Sequence, residues 1–176
     1  MNIWHDIDPS RIKDDDFIAV IEISKNSKQK YELDKSTGLL ILDRVLYTST
    51  HYPANYGFIP RTLADDGDPL DVLVLCSESL QPLSLVRVYP IGVITMIDNG
   101  ANDEKIIAIP FADPSYNSYT DLKSLPTHIF DEMRHFFTVY KQLENKDTAV
   151  NEVMDRKHAL EIIKGARANY IEKYSK

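Results

Sequence analysis

Three carboxylates stand within six residues of one another in the segment 66–71, which reads DGDPLD. Closely spaced carboxylates repel each other unless a cation lies among them, and oxygen ligands suit a hard cation such as Mg²⁺. Asp71 also opens the apolar run 72–75, so its carboxylate is expected to be fixed at the end of a strand. Asp, Gly and Pro are equally typical of a solvated turn. Taken alone, the segment leaves a metal site and a plain turn both open.

An EF-hand calcium loop is the obvious alternative for an acidic segment of this kind. Such a loop requires Gly at its sixth position and a bidentate Glu at its twelfth. Here Asp71 stands where Gly is required, Pro69 and Leu70 occupy wrong loop positions, and no Glu closes the loop. The segment is therefore not an EF-hand.

A second acidic group lies in the segment 98–105, DNGANDEK, where Asp98 and Asp103 are the candidate metal ligands. By itself this segment is typical of a hairpin loop. Glu22 and Glu32 lie within predicted strands, where a carboxylate faces either solvent or a polar cavity. The five histidines are isolated and lack metal-ligand spacing, so the candidate ligands are all oxygens and favour Mg²⁺.

Cationic and phenolic side chains could bind the anion that such a metal site attracts. Lys30 lies two residues before Glu32, so the two side chains point to one face of a strand. The other candidates have a shared role only if the fold brings them together. They are Arg44, Tyr52, Tyr56, Lys105, Tyr140 and Lys141.

Strands and turns are predicted for the first two thirds of the chain. A turn at 34–38 with Gly38 near its end predicts a hairpin, and Pro90 indicates a break, bulge or edge within the longest strand. The β-rich runs are 17–23, 30–33, 39–42, 72–76, 85–97 and 105–109.

Helical spacing replaces this pattern after Pro126, and a second helix is predicted to begin near Asp155. The apolar positions of the first helix are Ile129, Met133, Phe136, Phe137, Tyr140 and Leu143. Those of the second are Leu160, Ile163, Tyr170, Ile171 and Tyr174. Short antiparallel strands followed by two helices predict an α+β, mainly β domain, for which a small barrel is one way to remove sheet edges.

Composition narrows the classes of function. A chain of 176 residues fits one domain, 1–176, and its 20 basic and 27 acidic residues give a net charge of −7. This charge opposes general nucleic-acid binding, since affinity for a phosphate backbone comes mainly from Lys and Arg. The chain shows no signal peptide and no membrane-spanning run, so we expect a cytoplasmic protein. Cys76 is the only cysteine, which excludes an internal disulfide and indicates a small core residue.

The sequence resembles the soluble family I inorganic pyrophosphatases, in six elements that occur in order between about residues 15 and 145. The family signature D-x-D-P-x-D, followed by an apolar strand, is present at 66–72. The segment Y-P-x-N-Y-G-x-I is present at 52–59. The remaining elements are K-Y-E at 30–32, the strand arginine Arg44, D-x(4)-D-x-K at 98–105 and the helical Y-K pair at 140–141.

The resemblance implies a fold and an activity. The compact length is similar to that of the prokaryotic members, which implies a five-stranded OB-type barrel with flanking C-terminal helices, and commonly a homohexamer. The implied reaction is Mg²⁺-dependent hydrolysis of pyrophosphate to two phosphates by a metal-activated water, with several ions, and with Mn²⁺ or other divalent ions possible. Asn99 and Ala101 stand where many members carry acidic residues, so these positions bear on metal affinity or preference.

The resemblance also implies a role for each candidate. The metal ligands would be Asp66, Asp71, Asp98, Asp103, Glu22 and Glu32. Asp68 would act as general base, while the phosphates would be held by Lys30, Arg44, Tyr56, Tyr140 and Lys141. Tyr52 and Lys105 are secondary candidates.

Two other functions stay open at the level of the sequence. An OB-type barrel could bind oligonucleotides without catalysis, although the net charge and the lack of a basic stripe with interleaved aromatic residues oppose this. A metal-buffering protein would leave Lys30, Arg44 and Lys141 unexplained.

Overall fold

The computed structural model describes residues 1–175, in which eight strands and two α-helices form the regular structure. In chain order they are β1 Phe17–Ile23, β2 Gln29–Leu33, β3 Leu40–Val45, β4 Asn55–Ile59, β5 Leu70–Val74, β6 Leu85–Asp98, β7 Ala101–Pro110, α1 Thr127–Val139, β8 Thr148–Asp155 and α2 Arg156–Tyr174.

Five strands close into a barrel. β1, β4, β5, β7 and β6 are hydrogen-bonded in that order, and β1 also pairs with β6, so the ring has no free edge. β5 and β7 run parallel, and the other pairs of the ring are antiparallel. β8 extends β6 outside the ring, and β2 and β3 form a separate hairpin. The predicted five-stranded OB-type barrel, in a mainly β fold with two helices, is confirmed.

The barrel strands are largely buried on both faces, and each α-helix packs into one of the two large apolar clusters. Phe136 and Phe137 of α1 pack into one apolar cluster, and Ala159 and Ile163 of α2 pack into another. All seven residues of β1 and all five of β4 are buried. A strand with two covered faces carries apolar side chains without alternation, which explains the continuous apolar runs in the sequence.

The hairpin between β6 and β7 is tighter than predicted. Asn99 and Gly100 both have positive φ, 50° and 78°, as a two-residue hairpin turn requires. The prediction of a hairpin loop over 98–105 is therefore wrong for residues 101–104, which belong to β7 together with the predicted strand 105–109. Asp103 is a strand residue in register with Met96, so its carboxylate is held by the sheet. The register of β6 shifts between Pro90 and Gly92, which confirms a bulge near Pro90.

Both helices lie where the helical spacing predicted them, but α1 ends earlier than predicted and two predicted apolar residues of α2 are exposed. α1 ends at Val139, and Leu143, which was predicted to continue its apolar face, is 65% exposed. The Asp155 carboxylate caps α2 by accepting from the His158 amide, but Ile171 and Tyr174 lie at the exposed rim of this helix. β8 was not predicted at all. No helix within residues 1–175 is long and apolar enough to cross a membrane.

Candidate active site

A polar cavity of ≈ 370 Å³ gathers most of the predicted site residues. Its walls come from strands β1, β2, β4, β6 and β7, from the segment before and at the start of β5, and from the chain just after α1. Twelve of the fourteen predicted residues line it, which shows that the separate motifs converge in space. They are Glu22, Lys30, Glu32, Tyr56, Asp66, Asp68, Asp71, Asp98, Asp103, Lys105, Tyr140 and Lys141.

The other two predicted residues, Tyr52 and Arg44, are not among the residues that line the cavity. Tyr52 is 1% exposed, and its ring centroid is 5.2 Å from that of Tyr56 and 4.7 Å from that of Phe136. Tyr52 therefore supports Tyr56 by packing. Arg44 lies on β3 directly opposite Lys30 of β2, with its side chain 18% exposed.

Local hydrogen bonds fix the acidic segment before β5. The Asp68 amide donates to Asp66 Oδ1 at 3.0 Å, and Gly67 takes the positive φ of 85° that closes the turn. Behind it, the Leu70 amide donates to the buried hydroxyl of Thr62 at 2.9 Å. The segment is a turn, as its composition indicates, and it is also anchored at both ends.

Lys105 is the centre of the polar network. Its ammonium is buried and donates to the Tyr56 hydroxyl at 3.0 Å, to Asp71 Oδ2 at 2.9 Å and to Asp103 Oδ1 at 3.1 Å. The parallel pairing of β5 with β7 creates this arrangement by placing Lys105 opposite Asp71. Burial alone would lower the pKa of Lys105, but the adjacent Asp71, Tyr56 and Asp103 raise it well above its usual value, so the charge is retained.

The cavity is lined by more carboxylates than positively charged side chains. Seven acidic side chains line it against four lysines. Burial, and then the charge of Asp71, raises the pKa of Glu22 to about 8. Burial also raises the pKa of Asp71 to about 6 in spite of Lys105, and it raises that of Asp66. These shifts show that additional positive charge would be favourable here.

The donors fit divalent cations in their chemistry. All are oxygens, the kind of ligand that Mg²⁺ prefers, and their charge is incompletely compensated. Among residues 1–175, however, no three acidic, histidine or cysteine side chains already surround a common point, because Lys105 lies between Asp71 and Asp103. Shared binding of one ion by Asp71 and Asp103 therefore requires side-chain rotation.

The pH dependence of stability provides a test of the buried carboxyl of Glu22. Its folded-state pKa of about 8 exceeds the usual 4.5, so between these values the folded state holds a proton that the unfolded state releases. In metal-free buffer, stability should therefore fall as the pH rises from 5 to 8, by up to about 1.4 kcal/mol per pH unit for one proton. Urea unfolding measures this slope. Glu22→Gln should flatten it, and an unchanged slope in that variant would exclude Glu22 as its source.

Two further lysines hold carboxylates at the cavity rim. Lys141 Nζ is 2.6 Å from Asp98 Oδ2, and Lys35 forms an ion pair with Asp68. Lys35 was not predicted as a site residue, because it lies in a turn outside the motifs. Its ammonium also lies 5.3 Å from the centroid of the Trp4 ring, which links the N-terminal segment to the acidic turn.

A larger hollow of ≈ 590 Å³ lies on another part of the surface. Lys25, His51, His128 and His135 are among its lining residues, and Tyr52 is its only member from the predicted site. It does not contain the cavity's carboxylates or Lys105. The smaller cavity is therefore the candidate active site.

Comparisons with known proteins agree along almost the whole chain. The family model described as inorganic pyrophosphatase matches residues 19–171. Soluble inorganic pyrophosphatase 2 of Chlamydomonas reinhardtii is 46% identical over 171 residues, which cover 97% of this chain and 89% of that protein. The soluble inorganic pyrophosphatase PPA1 of Solanum tuberosum is 50% identical over 169 residues, with 96% and 80% covered.

Solved structures agree in fold. The inorganic pyrophosphatase of Helicobacter pylori superposes with a TM-score of 0.87 at 44% identity, covering 90% of this chain and 95% of that one. The inorganic pyrophosphatase of Thermus thermophilus gives a TM-score of 0.88 at 37% identity, with 97% and 99% covered.

Proposed function

Since the chain belongs to the inorganic pyrophosphatase family, we propose that it hydrolyses inorganic pyrophosphate to two phosphate ions in the candidate active site. The observation that carries this proposal is the convergence of seven carboxylates and four lysines on one cavity. Such a site can bind a strongly anionic substrate together with divalent cations. Oligonucleotide binding is not favoured, since the cavity's carboxylates would repel a phosphate backbone.

Divalent cations complete the proposed site. When bound, Mg²⁺ would neutralise the substrate oxygens and lower the pKa of a water molecule, and Mn²⁺ could replace it. The incompletely compensated charge of the cavity supports this assignment. We assign the cations to Asp66, Asp71, Asp98, Asp103, Glu22 and Glu32.

Asp68 is proposed as the general base. Its side chain is 55% exposed and lines the cavity, and its carboxylate forms an ion pair with Lys35, another lining residue. An ionised carboxylate in this position can accept a proton from the attacking water. Asp71, whose side chain is 25% exposed, and Asp66, whose pKa is raised by burial, are assigned as ligands on the same segment.

Cationic and phenolic donors would hold the two phosphates and stabilise charge on the leaving group. Burial raises the pKa of the Tyr56 and Tyr140 hydroxyls above the usual value, so both stay protonated and can donate hydrogen bonds to phosphate oxygens. Positive charge for the phosphates would come from Lys30, Arg44 and Lys141. Lys105 would add positive charge between Asp71 and Asp103.

Phosphate release from pyrophosphate tests the proposed function directly. We expect turnover that requires Mg²⁺ and stops when EDTA is added, because the protein's own lysines do not balance the combined charge of substrate and cavity. A gel shift with single-stranded oligonucleotides serves as the comparison. Salt-sensitive oligonucleotide binding without phosphate release would contradict the proposal and favour a binding module.

Substitution of Lys30 tests the substrate-binding assignment. Its ammonium lies in the cavity beside Glu32, and Asp43 Oδ2 is 3.7 Å away. Lys30→Ala should raise KM for pyrophosphate about tenfold, the loss of one charge-assisted hydrogen bond, with a smaller change in kcat. Lys28→Ala, two residues earlier in the chain and not among the lining residues, is the matched control. An unchanged KM for Lys30→Ala would remove Lys30 from the binding group.

We also propose a homohexamer in the cytoplasm. The hairpin strand β3 and the segments beside it expose Leu39, Ile41, Leu42, Val45 and Tyr47 by 49% to 61%, and an apolar surface of this kind suits a contact between chains. Light scattering should then give a particle of six times the 20.2 kDa chain mass. A monomeric mass at micromolar concentration would exclude this assembly.

A further inference from the structure

Glu144 is a buried carboxylate outside the motifs of the predicted site. It ends the short 3-10 turn Gln142–Glu144, three residues after Lys141. Its side chain is only 7% exposed, although the neighbouring Leu143 and Asn145 face solvent. A carboxylate is rarely buried without a partner, because desolvation of its charge is costly. The fold therefore turns Glu144 inward towards a specific contact.

That contact is Arg44, one of the proposed phosphate-binding residues. Glu144 Oε1 lies 2.8 Å from Arg44 Nε, and Arg44 also forms an ion pair with Asp43 through its Nη1. The two residues come from distant parts of the chain, β3 and the turn after α1. The guanidinium is thus held between two carboxylates, by its Nε side and by one of its terminal nitrogens.

In the described part of the chain, three polar atoms of the Arg44–Glu144 pair, and one of the cavity residue Asp98, are buried without a hydrogen-bond partner. Within residues 1–175, Arg44 Nε and Nη2, Glu144 Oε2 and Asp98 Oδ1 are buried with no hydrogen bond. The Nε contact is therefore an ion pair without hydrogen-bond alignment. Folded proteins leave few buried polar atoms unsatisfied, and such atoms call for an unseen partner such as a ligand. Arg44 Nη2 therefore has a hydrogen bond still to donate. Arg44 is paired across the hairpin with Lys30, and Lys30 lines the cavity.

We propose that Glu144 is a positioning residue that holds the Arg44 guanidinium so that its Nη2 edge can donate to a phosphate group of the substrate. This rests on the proposed function, and it adds to the site a residue that does not itself touch the substrate. Without the Glu144 charge, Arg44 retains only Asp43 as an ion-pair partner, so its guanidinium is held through one terminal nitrogen and no longer on its Nε side. Arg44 would then lose part of its contribution to substrate binding.

A double-mutant cycle between Glu144 and Arg44 tests this role. Glu144→Gln keeps the size of the side chain and removes its charge. We expect it to lower kcat/KM for pyrophosphate about tenfold, mainly through KM, because phosphate binding by Arg44 is weakened. In an Arg44→Met background the same substitution should have little further effect, since residues that act as a unit are not additive. Calorimetric titration with inorganic phosphate should show the same pattern in affinity.

The controls separate positioning from a loss of folding. Glu152→Gln removes an exposed carboxylate from β8 and should leave kcat/KM and phosphate affinity unchanged. Thermal melting shows whether each variant is folded. If Glu144→Gln does not fold, Glu144→Asp, which keeps the charge on a shorter side chain, replaces it in the cycle, with a smaller loss that again disappears without Arg44.

Two results would overturn the inference. One is equal loss of kcat/KM and phosphate affinity in the native and Arg44→Met backgrounds, which would show that Glu144 does not act through Arg44. The other is no loss in either measurement on substitution of Glu144. If the native protein releases no phosphate from pyrophosphate, the proposed function fails, and the calorimetric cycle still decides whether Glu144 positions Arg44 for a phosphate group.

Discussion

Replacement of Asp68 by Asn is expected to reduce pyrophosphate turnover about a hundredfold to ten-thousandfold, the range typical for loss of a general base. Asn has the same shape but cannot accept a proton from water. The fold should be retained, because the Asp68 side chain is 55% exposed and its ion pair with Lys35 lies at the surface, where such pairs contribute little to stability. The expected defect is therefore in the chemical step.

Three measurements on Asp68→Asn isolate that step. Phosphate release gives kcat, thermal melting reports the fold, and the rise in melting temperature on addition of Mg²⁺ reports cation binding. Asp65→Asn, an exposed acidic residue of the same loop that does not line the cavity, is the matched control and should keep normal turnover. Near-normal turnover in Asp68→Asn would exclude Asp68 as the base.

The second large effect concerns Lys105. Lys105→Met is expected to destabilise the protein by about 3 kcal/mol in metal-free buffer at neutral pH, as removal of one partner of a buried ion pair does. Met fills a similar volume but leaves Asp71 and Asp103 without the ammonium that bridges them. A divalent cation could replace that charge, so Mg²⁺ should stabilise this variant more than the native protein.

Urea unfolding of Lys105→Met, with EDTA and then with Mg²⁺, measures both parts of this prediction. Lys164→Met, an exposed lysine on α2, is the control and should change stability little in either buffer. Equal stability of Lys105→Met and the native protein in EDTA would show that the ammonium does not compensate these carboxylates. An equal effect of Mg²⁺ on both would argue against a cation in its place.

Lys105 also illustrates what sequence spacing cannot provide. The family resemblance made it a secondary candidate. It stands two positions after Asp103, and nothing in the spacing connects it with Asp71. The connection comes from the parallel pairing of β5 and β7, a contact between distant segments. Periodicity located most strands, whereas closure of the barrel depends on the β1–β6 pairing and was expected only from the family resemblance.

The remaining differences between the predicted and the observed structure lie where the residue pattern along the chain is ambiguous or where a contact joins distant segments. β8 has the sequence TAVNEVMD, in which apolar and polar residues come in pairs and do not alternate singly, so no strand was predicted there. Leu143 continued the helical spacing, but the chain leaves the helix at Val139 and forms a tight turn that buries Glu144 instead. Glu144 and Lys35 act through ion pairs with residues that are far away in sequence, and only the fold reveals such partners.

The most direct test of the proposed site is a crystal structure of the protein with Mn²⁺ and phosphate, read by the anomalous signal of the metal. We predict manganese between the acidic turn and β7, bound by Asp66, Asp71 and Asp103. We also predict phosphate in contact with Tyr140 and Lys141. Manganese and phosphate bound elsewhere, with none in this cavity, would contradict the assignment of the cavity as the active site.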